Sequence, residues 1–226
     1  MGAVDAVIVT GAAGALGHAV VAEFRSRGRE VVALDRAGER LDALGGQDGV
    51  HALAADLSSR AAVREAFDAI PVECDALVGL AGGFTPGTLA DVDEEVLDSL
   101  WRSNFGSALW TAQAAAPLFA ARGGGAIVTV GSKTAVQGPA PVAHATSKAA
   151  VVRLTELLAE ELRGQRIRVN AVLPSVIDTP ANRSWMSEEL AARAVAPAAI
   201  AKVIAFLCGP DAAPISGALV PVYGDA

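Results

Sequence analysis

The stretch Thr10-Gly11-Ala12-Ala13-Gly14-Ala15-Leu16-Gly17 follows a short apolar run and opens directly into a helical pattern. Glycines at such a junction allow a tight turn, let a pyrophosphate approach backbone N–H groups, and bring the helix close to the strand. The helix N-terminus then attracts the phosphates. Taken alone, the stretch also fits an ordinary strand-to-helix turn. A second signal adds to it: the next apolar run finishes at Asp35, where a carboxylate can accept hydrogen bonds from adenosine ribose hydroxyls and repel a 2′-phosphate. This favours NAD(H). Arg36 keeps NADP(H) open, because a guanidinium can pair with that phosphate. Gly11, Gly14, Leu16, Gly17, Asp35 and Arg36 are thus candidate cofactor residues.

These residues need elements to hold them. Short apolar runs alternate with longer helical patterns along the chain, the signature of βαβ units and a parallel sheet. Strands are expected at Ala6–Thr10, Glu30–Leu34, Val50–Ala54, Ala76–Leu80, Ala126–Val130, Arg168–Leu173 and Ala218–Val222, all central by their Val, Ile, Leu and Ala content. Helices are expected at Leu16–Ser26, Ser59–Ala69, Glu94–Ala121 with a break, Val142–Leu162 and Pro197–Leu207. Val151, Leu154, Leu158 and Leu162 recur at helical spacing and give the fourth helix a core face. The fold class is a Rossmann-type doubly wound α/β sheet, mainly seven-stranded and parallel, with helices on both faces. In such sheets ligands lie beyond the carboxyl ends of the strands.

A length of 226 residues with 52% hydrophobic and 19% charged residues suits one dinucleotide-binding domain over 1–226 and excludes a disordered chain. A net charge of −7 gives no footprint for nucleic acid. Cys74 and Cys208 lie far apart, without metal-ligand spacing, and read as buried thiols in a cytoplasmic protein. Ala3-Val4-Asp5 leads straight into the first strand without a basic region or cleavage site, which argues against secretion. The uncharged stretch 103–121 contains Asn104, Gln113 and Pro117 and reads as a buried helix, not a membrane span. His18 and His51 have no second ligand at metal spacing and read as surface or turn residues.

Together with Ala55-Asp56-Leu57, Leu80-Ala81-Gly82-Gly83 and Pro174-Ser175-Val176-Ile177-Asp178-Thr179, these motifs resemble the short-chain dehydrogenase/reductase family over nearly the whole chain. The resemblance implies that Asp56 and Leu57 contact adenine and that Ala81, Gly82 and Gly83 form the turn after the fourth strand. It also implies that Pro174, the Ile177 backbone and the Thr179 hydroxyl hold the nicotinamide. The glycine spacing and the missing asparagines of the fourth-strand turn are similar to the dihydropteridine reductase branch. The family's catalytic set is matched at Asn104, Ser132 and Lys148, but its tyrosine position holds His144. Phe84, Trp185 and Met186 fall where the family binds substrate, and suggest an apolar or aromatic one; core packing or a dimer contact is the alternative for this trio. Trp101 and Trp110 fall on the helix that the family uses to pair subunits as homodimers or homotetramers.

Residues four apart share a helix face, so His144 and Lys148 can address the same ligand. A neighbouring ammonium disfavours imidazolium, so ketone reduction through His144 should weaken as pH rises. An iminium substrate would need no donor there. The expectation is an NAD(P)-dependent oxidoreductase acting on a small, partly apolar carbonyl or alcohol. An imine reductase, a non-redox enzyme using His144 as base, and a catalytically silent dinucleotide-binding protein remain as alternatives. Ser132 also fits a plain turn residue.

Overall fold

A computed structural model describes residues 5–225; the start read at Ala3 and Val4 lies outside the described residues. The strands are β1 (Ala6–Thr10), β2 (Val31–Asp35), β3 (Val50–Ala54), β4 (Cys74–Gly79), β5 (Gly125–Val130), β6 (Ile167–Pro174) and β7 (Leu219–Val222). They form one seven-stranded sheet in the order β3-β2-β1-β4-β5-β6-β7, parallel throughout. The winding reverses between β1 and β4, which places the crevice for a ligand at their carboxyl ends.

The helices are α1 (Ala15–Ser26), α2 (Glu39–Gly45), α3 (Arg60–Asp68), α4 (Glu94–Leu100), α5 (Ser107–Ala121), α6 (Val142–Glu161), α7 (Pro180–Arg183), α8 (Glu188–Arg193) and α9 (Pro197–Cys208). Side chains alternate across a strand, so β1 sends Val7 and Val9 to one face and Ala6 and Ile8 to the other. Val20, Val21 and Phe24 of α1 join Ile200, Ile204 and Leu207 of α9 on the first face. Val63 and Phe67 of α3, Phe119 of α5 and Ala159 of α6 cover the second. Among the described residues, no helix is long and apolar enough to cross a membrane.

Three expectations are corrected. First, β3 and β7 are edge strands rather than central ones; their half-buried faces carry the same aliphatic residues as the interior, so composition does not separate the two. Second, 94–121 does not break: α4 and α5 are joined by a π-helical turn over Trp101–Gly106. Third, α2, α7 and α8 are absent from the expected set. Their four to seven residues are too few to show a period, and α2 is fixed by just two buried anchors, Leu41 and Leu44.

Phe119 is fully buried between α5 and the sheet. Phe119→Ala should lower the unfolding free energy by about 3–5 kcal/mol, measured by urea denaturation; a loss below about 1 kcal/mol would contradict this packing.

Candidate active site

The glycine loop brings β1, α1 and the end of β4 into close contact. Gly11 has φ +66°, and a Cβ there would lie 2.8 Å from the Ala81 nitrogen. A Cβ at Gly17 would lie 2.3 Å from the Gly11 carbonyl oxygen, so α1 could not pack this closely with any larger residue. The Thr10 hydroxyl accepts the N–H groups of Leu80 (3.2 Å) and Ala81 (3.4 Å), joining β1 to β4 across the crevice.

Side chains of Ser59, Asp93, Thr179 and Ser187 cap α3, α4, α7 and α8. No side chain caps α1 at Gly14. The first-turn N–H groups of α1, Leu16 and Gly17 included, are therefore left to water or an anion. Asp35 sits beside this loop at the end of β2, its Oδ2 accepting the Ala13 N–H (2.9 Å) and its Oδ1 the Arg36 N–H (2.7 Å). After β3, Asp56 Oδ1 accepts from the Ser58 hydroxyl (2.7 Å) and N–H (3.0 Å). Those bonds, with Arg36 contributing, hold the Asp56 carboxyl below its ordinary range; Leu57 next to it is buried. An uncapped helix, a cradle without side chains and a carboxylate at the second strand's end fit the pyrophosphate and adenosine of a dinucleotide.

A second cluster stands on the β4 side of the switch point. The π turn carries Asn104 into the interior, where it is 1% exposed. Its Oδ1 accepts the Gly83 N–H (2.9 Å), and its Nδ2 donates to the Gly83 carbonyl (3.2 Å) and to the Ser147 hydroxyl (2.9 Å). A Cβ at Gly82 would lie 2.5 Å from Asn104 Oδ1 and 3.2 Å from Lys148 Nζ, so the glycine allows both to approach. His144, on the first turn of α6, brings Nδ1 to 3.2 Å from the Gly83 carbonyl. The Phe84 ring meets the imidazole edge-on, with centroids 4.9 Å apart.

Lys148, one turn further, is buried and donates to the Val130 carbonyl at 2.9 Å. Burial pushes its ammonium down to about 8. His144 is held below its ordinary value of 6.5, first by burial and then by the Lys148 charge, with the Gly83 carbonyl opposing. Asn104, His144, Lys148, Gly82, Gly83 and Phe84 thus form one connected site.

Ser132 follows β5 two residues beyond Val130. Its hydroxyl pairs with that of Thr134 (2.8 Å), accepts the Thr134 N–H (3.2 Å) and caps a short 3₁₀ turn. Pro174 ends β6. Ile177 bridges Val195 through its neighbours' backbone groups, so its own carbonyl faces the other way, where it accepts from Asn182 Nδ2 (2.9 Å) and the Thr179 N–H (2.9 Å). The Thr179 hydroxyl accepts the Asn182 N–H at 3.1 Å and keeps its own proton to donate. Trp185 is 56% exposed beyond α7 and Met186 half-buried beside it.

Sequence reasoning missed Ser147, which links Asn104 to the His144 carbonyl (2.8 Å), and Asn182, which occupies the Ile177 carbonyl. Their neighbours Lys148 and Thr179 were the only signal, since a hydroxyl or amide at these positions is common on any helix. His18 is exposed on α1, while His51 lies in edge strand β3 with Nε2 2.7 Å from Glu30.

Residues 5–190 match the family model described as short chain dehydrogenase. A 3-oxoacyl-[acyl-carrier-protein] reductase of Thermotoga maritima is 30% identical, covering 96% of this chain and 95% of its own. A D-threitol dehydrogenase of Mycolicibacterium smegmatis is 32% identical, with 96% and 90% covered. A solved 3-ketoacyl-(acyl-carrier-protein) reductase of Brucella melitensis, complexed with NADH, superposes with a TM-score of 0.90 at 28% identity, covering 97% of each chain. The protein belongs to the short-chain dehydrogenase family.

Proposed function

We propose that this chain catalyses NAD(P)-dependent hydride transfer between a nicotinamide and a small, partly apolar alcohol or carbonyl compound. The observation that carries this reading is the meeting of Asn104, His144 and Lys148 at Gly82 and Gly83, beside an uncapped glycine cradle. The relatives' names support it from both directions of the reaction, one a reductase and one a dehydrogenase.

The α1 N-terminus and glycine loop would hold the pyrophosphate, Asp35 the adenosine ribose, and Asp56 and Leu57 the adenine. Pro174, the Ile177 backbone and Thr179 would hold the nicotinamide, whose C4 gives or takes the hydride when the dinucleotide is bound. Lys148 would donate to the nicotinamide ribose hydroxyls. Ser132 would donate to the substrate oxygen, and Asn104 fixes the loop on which His144 leans. Phe84, Trp185 and Met186 would offer apolar walls to the substrate. NAD(H) is the favoured cofactor, because Asp35 presents a negative charge where NADP(H) carries its phosphate.

A second reading, reduction of an iminium ion, draws on the same weakly basic imidazole. A substrate that already carries its proton needs no donor at position 144. A cytoplasmic setting suits the buried free thiols, whose pKa values burial raises to about 12. A homodimer or homotetramer contact would involve the exposed Trp101, which packs on Phe105 with centroids 5.2 Å apart. Trp110 on the same helix instead lies under the Arg60 guanidinium, 5.7 Å from its centroid.

The function is tested by calorimetry with the four nicotinamide dinucleotides, then by nicotinamide absorbance with secondary alcohols, ketones and cyclic imines. Binding of NADH and turnover of an alcohol or ketone are expected; absence of any dinucleotide binding would overturn the proposal. Asp35→Asn keeps an acceptor for the Ala13 N–H but removes the charge. It should shift the NADPH-to-NADH affinity ratio about tenfold toward NADPH, roughly 1.4 kcal/mol.

Lys148 also gives the fold a pH signature. Its folded value of about 8 lies below the ordinary 10.5, so the cost of burying the charge is full below pH 8 and is relieved as pH rises toward 10.5. In that window the unfolded chain binds more protons, and stability rises with pH. Relative to Lys148→Met, the cofactor-free wild type should gain on the order of 3 kcal/mol between these limits. Denaturation at a series of pH values checks this, and a constant difference would contradict it.

A further inference from the structure

The hydrogen bond between His144 and Gly83 fixes which imidazole nitrogen carries the proton, and with it which nitrogen is left to exchange a proton with a substrate. A backbone carbonyl can only accept. Nδ1, 3.2 Å from the Gly83 oxygen, must therefore be the protonated nitrogen. In a neutral imidazole Nε2 then bears the lone pair, directed away from Gly83. The tautomer is held from several sides. The Gly83 peptide is clamped at both N–H and C=O by Asn104. The His144 carbonyl accepts the Ser147 hydroxyl, and the Phe84 ring braces the imidazole edge.

We infer that His144 is a general base of fixed tautomer, Nδ1–H to Gly83 and Nε2 free, and that the site is set for oxidation of a secondary alcohol. This rests on the oxidoreductase reading above. The alcohol O–H proton passes to the Nε2 lone pair. The carbinol C–H bond breaks with its electron pair leaving as hydride to the oxidised nicotinamide dinucleotide, and the C–O bond becomes C=O. The products are a ketone, the reduced dinucleotide and an imidazolium, which returns its proton to water.

The surroundings act in the same direction. Burial and the Lys148 ammonium, the one charge that the described residues bring to bear on His144, both disfavour imidazolium; the facing Gly83, Phe84, Asn104 and Ser147 carry no charge. The base form is thus ready at neutral pH, whereas carbonyl reduction requires the minor, protonated form.

Two measurements test the inference on the intact protein. Long-range ¹H–¹⁵N NMR of the imidazoles in the cofactor-free protein, assigned with His144→Asn, should show the Nδ1–H tautomer for His144 at neutral pH. With NAD⁺ and secondary alcohols from polyols to 1-phenylethanol, kcat/KM for oxidation should be flat down to neutral pH. It should fall tenfold per pH unit only below the ordinary histidine value of about 6.5. Reduction of the matching ketone should lose tenfold per unit above the same break.

His144→Asn, whose amide can still donate to Gly83 but offers no basic nitrogen, should lose about 10²-fold or more in oxidation while its NADH dissociation constant stays within twofold. An Nε2–H tautomer, an oxidation rate still climbing from pH 7 to 9, or an active Asn variant would each overturn the assignment and leave the redox reading intact. Dinucleotide binding without oxidation or reduction of any substrate would overturn the redox reading and the assignment of His144 as base, whatever the tautomer.

Discussion

Asn104 reaches the Gly83 peptide from inside the protein and satisfies both of its polar groups, and the rest of the site is built outward from that clamp. Buried polar groups that stay unpaired are costly, so the loop after β4 has one low-energy position. That position is next to α6. The Gly83 carbonyl retains a second lone pair, and His144 uses it. Ser147, three residues on, accepts the remaining Asn104 N–H and donates back to the His144 carbonyl. Two separate stretches of sequence, the π turn and α6, are thereby locked to one residue of the loop after β4. The geometry comes from the π turn, which widens the helix over Trp101–Gly106; such turns are seldom kept without a role.

The depth of α6 against the sheet decides where Lys148 can reach. The Thr129 and Thr155 hydroxyls, both buried, meet at 2.7 Å between β5 and α6. Val151, Leu154 and Ala108 pack on the helix's other side. Seated this way, α6 delivers the ammonium to the Val130 carbonyl at the carboxyl end of β5. The charge lies in a poorly solvated place because the fold around it is apolar, and the same burial lowers the basicity of His144 one turn away. Core packing and acid–base behaviour here have one cause.

Much of this was legible in the residues. The glycine loop, Asp35 and the one-turn spacing of His144 and Lys148 are local patterns, carried by the β1–α1 junction, the end of β2 and one face of α6. The π turn was not legible as such. An extra residue in a helical turn looks like a break in periodicity, and a break was expected somewhere within 94–121. Edge strands β3 and β7 escaped because their half-buried residues are as aliphatic as those of the interior strands, while neighbours are lost on one side. Ser147 and Asn182 act through hydrogen bonds to backbone groups that only the tertiary fold brings near, and nothing in their types marks them. At Ile177 the carbonyl accepts from Asn182 Nδ2.

The structure brings the turn after β4 into contact with α6 at position 144. A Cβ at 82 would lie 2.5 Å from Asn104 Oδ1, too close for the amide to stay. With glycine in place, Asn104 reaches the Gly83 N–H and carbonyl and holds that carbonyl toward α6. An imidazole is shorter than a phenol and needs an acceptor for its Nδ1–H if a defined tautomer is to persist in a half-buried site. Gly83 supplies that acceptor. The glycine at 82 and the histidine at 144 are therefore parts of one arrangement, since a side chain at 82 would displace the amide that holds the Gly83 carbonyl against His144.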